Sequence, residues 1–221
     1  MSRREPPVRR PDPVMWVRVR YTKTGPASYA SNRDLARAFE RMVRRAQVPV
    51  AYSSGFSPHP RISHYNVAPT GAASLAEYLE VALAAAPDLE QLREALHTVA
   101  PVGVAVTEVV AIQRGATAKE LTASLWRAEF SAPIGLEAAV QALLAAPAAT
   151  ITRESGSGIK TIDVVPALRE LRVDGNIVTM VVAHTEPLVR ASDVTAALSR
   201  YGADWSSCRL TRLEQGSATA F

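Results

Sequence analysis

Cysteine, lysine and long apolar runs are scarce in this sequence. The single cysteine, Cys208, excludes an internal disulfide and a metal site built from several thiolates, and it fits a reducing compartment. No stretch approaches the roughly 20 consecutive apolar residues that a membrane span needs. The N-terminus MSRREPPVRRPDPV lacks the apolar core of a signal peptide. These absences predict a cytoplasmic protein with no membrane partner.

The motifs of several chemistries are also absent. The four histidines do not have a familiar zinc-binding spacing, so we expect no metal. The glycines of ESGSGIK, residues 154–160, lack the strand–loop–helix context and the Lys-Ser/Thr pair of a phosphate-binding loop. No serine or cysteine nucleophile with a neighbouring base stands out. The sequence therefore predicts no bound cofactor and leaves catalytic residues unassigned.

What the sequence does have is a hydrophobic content of 48%, enough for a substantial core, and an uneven distribution of charge. Residues 1–66 contain 13 basic and 4 acidic side chains, whereas residues 67–221 contain 12 and 17. A basic N-terminal third predicts a polyanionic partner, of which nucleic acid is the commonest. Because 22 of the 25 basic residues are arginine, genome composition is an alternative cause of the bias.

Hydrophobic periodicity divides the chain into two similar halves. Each half has the order strand, helix, strands, helix, strand, which is the split βαβ order of a ferredoxin-like fold. We therefore predict an α+β fold of two tandem ferredoxin-like units, with antiparallel sheets and helices packed on one face. The predicted boundaries are a disordered basic tail over 1–14, a first unit over 15–112, a linker over 113–120, a second unit over 121–214 and a tail over 215–221.

The predicted helix over 31–47 has one apolar face and one basic face. Ser31 and Asp34 have the spacing of a capping box, with Asp in place of the usual Glu or Gln. Five arginines fall within about 120° of arc opposite the apolar side chains. Like charges this close repel each other unless an anion lies over them, which predicts a bound phosphate backbone. A solvated, arginine-rich helix face is the alternative. The arginines are Arg33, Arg37, Arg41, Arg44 and Arg45.

The first predicted strand, MWVRVRYTK, adds to this basic region. Its alternation places Trp16, Arg18 and Arg20 on the outward face, and an aromatic and basic sheet face is typical of modules that bind single-stranded RNA. Lys23 precedes the Gly25-Pro26 turn, where backbone N–H groups could converge on an anion. An ordinary solvent-facing sheet would have a similar pattern.

The loop SSGFSPHPRISHYN, residues 53–66, concentrates groups that could bind RNA. His59 lies between two prolines, which favours an extended backbone and an outward imidazole. Two imidazoles here could exchange protons near neutral pH. RNA contact, acid–base cleavage of RNA and a purely structural turn all remain open. The candidate residues of this loop are Phe56, His59, Arg61 and His64.

Five motifs resemble the bacterial family called radical-SAM-linked proteins, a domain of unknown function. They are KTGP (23–26), SNRDL (31–35), RRAQVP (44–49), YSSGFSPHPRIS (52–63) and DVV (163–165). The resemblance implies an accessory role beside a radical SAM enzyme, and one cysteine cannot itself ligate that enzyme's cluster. The family usually has histidine where this chain has Asn32, so no catalytic role is expected there. Asp163 could have a role that the pattern does not define.

The predicted architecture is also similar to the RNA-processing endoribonucleases of CRISPR systems, although fold analogy does not transfer activity. Three hypotheses follow. The preferred one is a non-catalytic protein that binds ribosomal or transfer RNA beside a modifying or processing enzyme, and the family resemblance implies that this enzyme is a radical SAM enzyme. The rival is a domain whose arginine face docks on an acidic radical SAM partner. The third is a metal-independent endoribonuclease that uses His59 or His64.

Overall fold

The computed structural model describes residues 11–132, 134–155, 158–203 and 208–221. The chain divides into two compact units. The first comprises Met1–Gly71 and Leu75–Lys119, and the second comprises Ala72–Ser74 and Glu120–Phe221. Both units combine helices with mostly antiparallel strands, so the predicted α+β class is confirmed. Most of the predicted tail over 1–14 lies outside the described residues.

The first unit has four strands in the order β4-β1-β3-β2, and the β1–β4 and β2–β3 pairs are antiparallel. Residues 50 and 52 take part only in isolated bridges, and the predicted linker over 113–120 contains a short helix. The elements are β1 (Met15–Lys23), a 3₁₀ helix (Gly25–Tyr29), α1 (Asn32–Arg45), β2 (Ile62–Tyr65), β3 (Ala73–Leu83), α2 (Leu89–Thr98), β4 (Val104–Ile112) and α3 (Ala116–Glu120).

The alternation of β1 determines which sheet face holds the core of this unit. Val17, Val19 and Tyr21 are buried, and the Tyr21 ring lies 4.6 Å from the ring of Phe39 in α1. The helix begins after Ser31 because the Ser31 and Asp34 side chains satisfy each other's backbone N–H groups, which confirms the capping box. Side chains of β1 between these buried positions therefore lie on the opposite sheet face.

The second unit has strands in the order β10-β5-β9-β8, and β6 and β7 form a separate two-stranded sheet. Neighbouring strands of that order pair antiparallel, while β10 also pairs in parallel with Ala73 and Ser74. The elements are β5 (Ala123–Glu129), α4 (Leu136–Ala145), β6 (Thr150–Ser155), β7 (Gly158–Asp163), β8 (Leu168–Asp174), β9 (Ile177–Ala183), α5 (Ala191–Ser199) and β10 (Arg209–Gly216).

Local signals in this unit have identifiable roles. Asp174 and Gly175, a residue pair typical of tight hairpins, lie at the β8–β9 turn. Asp174 pairs with Ile177 and leaves a two-residue loop with Gly175 at a φ of 57°. Asp163 accepts hydrogen bonds from the backbone N–H groups of Ala149 and Val165, so its carboxylate fixes the ends of the β6–β7 hairpin. The C-terminal strand ends at Gly216, so it includes the first two residues of the tail predicted over 215–221.

Candidate nucleic-acid interface

A cavity of about 350 Å³ lies in the first unit, on the sheet face opposite to α1. We call it the Trp16 pocket. Trp16 comes from β1, and the 53–66 loop and β2 supply one wall. The turn between β4 and α3 supplies the other wall. The side chains that give the cavity its chemistry are Trp16, His59, Arg61, Tyr65, Glu80 and Arg114.

Two guanidinium groups lie against the indole of Trp16. The Cζ atom of Arg61 is 5.3 Å from the centroid of the indole ring, and the Cζ atom of Arg114 is 5.4 Å from it. Both distances are within cation–π range. A guanidinium on an aromatic ring keeps N–H groups available for an anion. Among the described residues, neither arginine has a carboxylate within 4 Å. The pocket therefore presents two positive charges without a fixed counter-ion.

Glu80 in β3 anchors the turn that carries Arg114. Its side chain is buried at 1% exposure, and its two carboxylate oxygens accept hydrogen bonds of 3.0 Å from the backbone N–H groups of Gly115 and Thr117. Tyr65 also hydrogen-bonds to Glu80, and burial together with this bond raises the pKa of Tyr65 to about 12. The phenol stays protonated and donates. Both carboxylate oxygens of Glu80 thus accept hydrogen bonds from the protein itself, and these bonds hold Arg114 beside Trp16.

Hydrogen bonds within the 53–66 loop hold its shape. The His59 backbone N–H donates to Ser53 Oγ at 3.2 Å, and the Ser53 N–H donates to the His59 carbonyl at 2.9 Å. The Nδ1 atom of His59 is 3.0 Å from Ser53 Oγ. His59 is exposed and lines the pocket, whereas Phe56 is 73% exposed and lies outside the lining. The loop is therefore both a closed turn and a pocket wall.

The arginines of α1 form a second basic feature, which we call the arginine surface. All five are exposed, and Arg44 makes an ion pair of 3.6 Å with Glu40 on the helix surface. The nearby Asp34 carboxylate binds Ser31, and hydrogen bonds from Ser31 are the main cause of its lowered pKa. Within the described ranges, the other arginines have no ion pair within 4 Å. The members are Arg33, Arg37, Arg41, Arg44 and Arg45.

The predicted basic residues fall into two groups on different sides of the first unit. Trp16, Arg18 and Arg20 lie on the sheet face opposite to α1, as the alternation of β1 requires. The guanidinium groups of Arg18 and Arg20 lie 5.8 and 5.9 Å from the ring centroid of Tyr78. The arginine surface lies on the outer side of α1, because the inner side is in the core.

Two predicted contact residues face the core instead. Lys23 is 0% exposed, and its Nζ donates hydrogen bonds of 2.9 Å to the carbonyls of Ala68 and Pro69. His64 packs edge-on against Phe39 at a centroid distance of 5.7 Å, and burial lowers its pKa to about 4. Assigning Lys23 to a phosphate was wrong, because odd-numbered positions of β1 point inward. His64 lies on the same inner face as Leu79, its partner in the β2–β3 register.

Three pocket residues were missed by the sequence reasoning: Tyr65, Glu80 and Arg114. The sequence does hold a signal for Glu80, since the alternation of AEYLEVAL, residues 76–83, puts Leu79, Val81 and Leu83 on one strand face and leaves the Glu80 carboxylate on the other. Arg114 lies in the segment 113–120, whose composition predicts a linker. Only the fold of the turn after β4 brings it to Trp16.

Other kinds of site have little support in the structure. No group of three or more His, Cys, Asp and Glu side chains within the described ranges could hold a metal ion. Burial raises the pKa of the Cys208 thiol to about 11, which disfavours the reactive thiolate. The helices of the described segments are too short or too polar to cross a bilayer.

Comparisons with known proteins add a family and a distant structural similarity. A family model described as "Uncharacterized protein conserved in bacteria (DUF2344)" matches residues 16–191. No curated protein matches the chain. Among solved structures, an unknown protein from Galdieria sulphuraria is similar with 15% identity and a TM-score of 0.27, over 90% of this chain and 98% of that chain.

Proposed function

This chain belongs to the bacterial family whose model matches residues 16–191, and we propose that it is an accessory protein that binds unpaired RNA through its first unit. The arginine surface is the observation that carries this proposal. Its five exposed guanidinium groups have one exposed carboxylate partner among the described residues, which leaves most of their charge uncompensated. An exposed ion pair such as Arg44–Glu40 stabilises a protein by at most about 1 kcal/mol.

A phosphate backbone fits the arginine surface better than a single small anion does. The row Arg33, Arg37, Arg41 and Arg45 follows consecutive helical turns, so its charges repeat about every 6 Å along the helix. Phosphates of a nucleic acid strand repeat on a similar scale, and each neutralised phosphate releases a counter-ion. The Trp16 pocket favours an unpaired strand, because stacking and cation–π contacts need exposed bases or termini.

The proposal also covers the RNA ligand, the partner enzyme and the fold of each unit. Ribosomal or transfer RNA is the proposed ligand. The proposed partner is an RNA-modifying or RNA-processing enzyme of the radical SAM class, because the motifs resemble those of radical-SAM-linked proteins. Each unit is proposed to be a ferredoxin-like module. The strand orders β4-β1-β3-β2 and β10-β5-β9-β8 support this, since both correspond to 4-1-3-2 within their unit. The β6–β7 hairpin is then an insertion in the second module.

The decisive experiment reverses two charges on the arginine surface. Arg37→Glu combined with Arg41→Glu should weaken binding to a single-stranded RNA at least about 100-fold at 0.1 M salt. The log–log salt slope should fall by about 0.7 for each lost phosphate contact. Fluorescence anisotropy measures both, and circular dichroism checks that the variant is folded.

Unchanged RNA affinity in this folded double variant would contradict the proposal. If the variant instead loses an acidic radical SAM partner while RNA binding is absent in the wild type, the docking function would replace it. A ribonuclease is not proposed, because His59 lines the pocket while His64 packs against α1 on the other sheet face. Acid–base cleavage needs groups that reach the same phosphodiester.

A further inference from the structure

We propose that the Trp16 pocket is a phosphomonoester site that receives the terminal phosphate of an RNA strand. This inference rests on the proposed RNA-binding function, but a different feature carries it. The arginine surface offers affinity for any backbone, whereas the pocket is a single cavity with two guanidinium groups on one indole.

Charge favours a terminal phosphate over an internal one. An internal phosphodiester carries one negative charge, while a phosphomonoester carries about 1.5 to 2 at neutral pH. Arg61 and Arg114 supply two fixed positive charges, and His59 lies at the same cavity. The one carboxylate in the lining, Glu80, is buried and accepts two backbone N–H groups, so it does not pair with either guanidinium. A dianion matches this arrangement.

Size and shape agree with one terminal nucleotide. A volume of about 350 Å³ lies at the small end of ligand pockets, which run from about 300 to 1,000 Å³. Trp16 offers the cavity an aromatic surface, and guanidinium groups on that surface can still make bidentate hydrogen bonds to phosphate oxygens. A duplex would not enter a cavity of this size.

The pocket is organised before a ligand arrives. Glu80 fixes the turn that carries Arg114, and Tyr65 hydrogen-bonds to Glu80. Arg61 follows a loop segment that is closed by a β-bridge between Tyr52 and Pro60. Because both arginine backbones are held, little backbone freedom is lost on binding, which favours affinity.

The test compares three short single-stranded RNAs of one sequence, labelled internally, with a 5′-phosphate, a 3′-phosphate or two hydroxyl ends. Anisotropy should show at least about tenfold tighter binding for one phosphorylated end, the size expected of one charge-assisted hydrogen bond. Arg114→Gln should abolish this preference, so that all three RNAs bind this variant with equal affinity. Arg41→Gln, the matched control on α1, should weaken all three RNAs and keep the preference.

Titration calorimetry with adenosine monophosphate and with inorganic phosphate identifies the source of the phosphate. Equal affinity for all three RNAs together with no binding of adenosine monophosphate would overturn the inference and leave the proposed RNA binding intact. Binding of adenosine monophosphate that Arg114→Gln abolishes, with no RNA bound at all, would overturn both the RNA terminus as ligand and the proposed function. A preference that survives Arg114→Gln would place the phosphate outside this pocket.

Discussion

Lys23 shows how a cation inside a protein can be structural. Its Nζ donates to the Ala68 and Pro69 carbonyls, which ties β1 to the chain segment before β3. Such a group is held by the fold, and it has no exposed surface with which to meet a phosphate. Burial of the charge is tolerated because its hydrogen bonds are satisfied inside the protein.

Lys23→Met should therefore lower stability and leave RNA binding unchanged. The substitution keeps the length of the side chain but removes the donor to two carbonyls, and each lost partner costs about 1–3 kcal/mol. Urea unfolding measures the loss, and anisotropy at a temperature where the variant is folded measures affinity. A reduced salt slope for RNA binding would contradict the buried placement.

His64 should make stability depend on pH. Burial lowers its folded-state pKa to about 4 from an ordinary value of 6.5. Between these values the unfolded chain binds more protons, so the free energy of unfolding should rise as pH rises from about 4 to 6.5, by up to about 1.4 kcal/mol per pH unit. Burial also lowers the pKa of His184, so His184 should add to the same rise of stability with pH.

His64→Leu should reduce this slope, since the leucine keeps an apolar contact with Phe39 and cannot be protonated. Urea unfolding at pH 4.5 and pH 7.0 measures it. His59→Leu, which removes a histidine at an exposed position, is the control for the substitution itself. An identical pH dependence in wild type and His64→Leu would show that His64 is not buried as a neutral group.

At the scale of elements, the turn between α2 and β4 fixes the 3₁₀ helix that follows β1. Gly103 has a φ of 89°, and a Cβ there would lie 2.2 Å from the Thr24 carbonyl oxygen. The Gly103 carbonyl in turn accepts a hydrogen bond of 2.8 Å from the Thr24 N–H. Glycine is needed at this position for both backbone conformation and space.

Gly103→Ala should destabilise the protein by more than about 2 kcal/mol, because strain in the left-handed region adds to a backbone clash. Gly175→Ala is the matched control. Its φ is also positive, at 57°, but its Cβ would meet open space, so the cost should be about 1 kcal/mol. Thermal unfolding of both variants compares them, and equal losses would remove the clash from the explanation.

At the scale of the whole molecule, the distribution of charge matters more than its sum. The net charge is only +4, yet the arginine surface alone carries five positive charges on one helix. Salt screens exposed charges beyond about 10 Å at 0.1 M. The affinity for an RNA strand should therefore depend on the charges that the strand contacts and depend little on net charge.

Two arginines of the second unit test this point. Arg169→Glu combined with Arg209→Glu changes net charge as much as the α1 double variant does, and both arginines are exposed. We expect its RNA affinity at 0.15 M salt to stay within about threefold of wild type, because neither arginine belongs to the arginine surface and salt screens charges that the strand does not contact. A loss as large as that of the α1 variant would mean that net charge, rather than the arginine surface, governs binding.

The sequence by itself determined most of the elements and the two faces of α1. The capping residues of α1, the alternation of β1 and the Asp174 hairpin are local, because neighbours within a few positions set them. The same local information put five arginines on one side of α1.

Only the tertiary structure decided which distant side chains meet. Strand order brings Trp16, the 53–66 loop and the turn after β4 around one cavity, and the buried Glu80 carboxylate positions Arg114 there. It also turned Lys23 and His64 inward and divided the basic residues between two sides of the first unit. Such contacts join residues far apart in the chain, so periodicity along one segment cannot specify them.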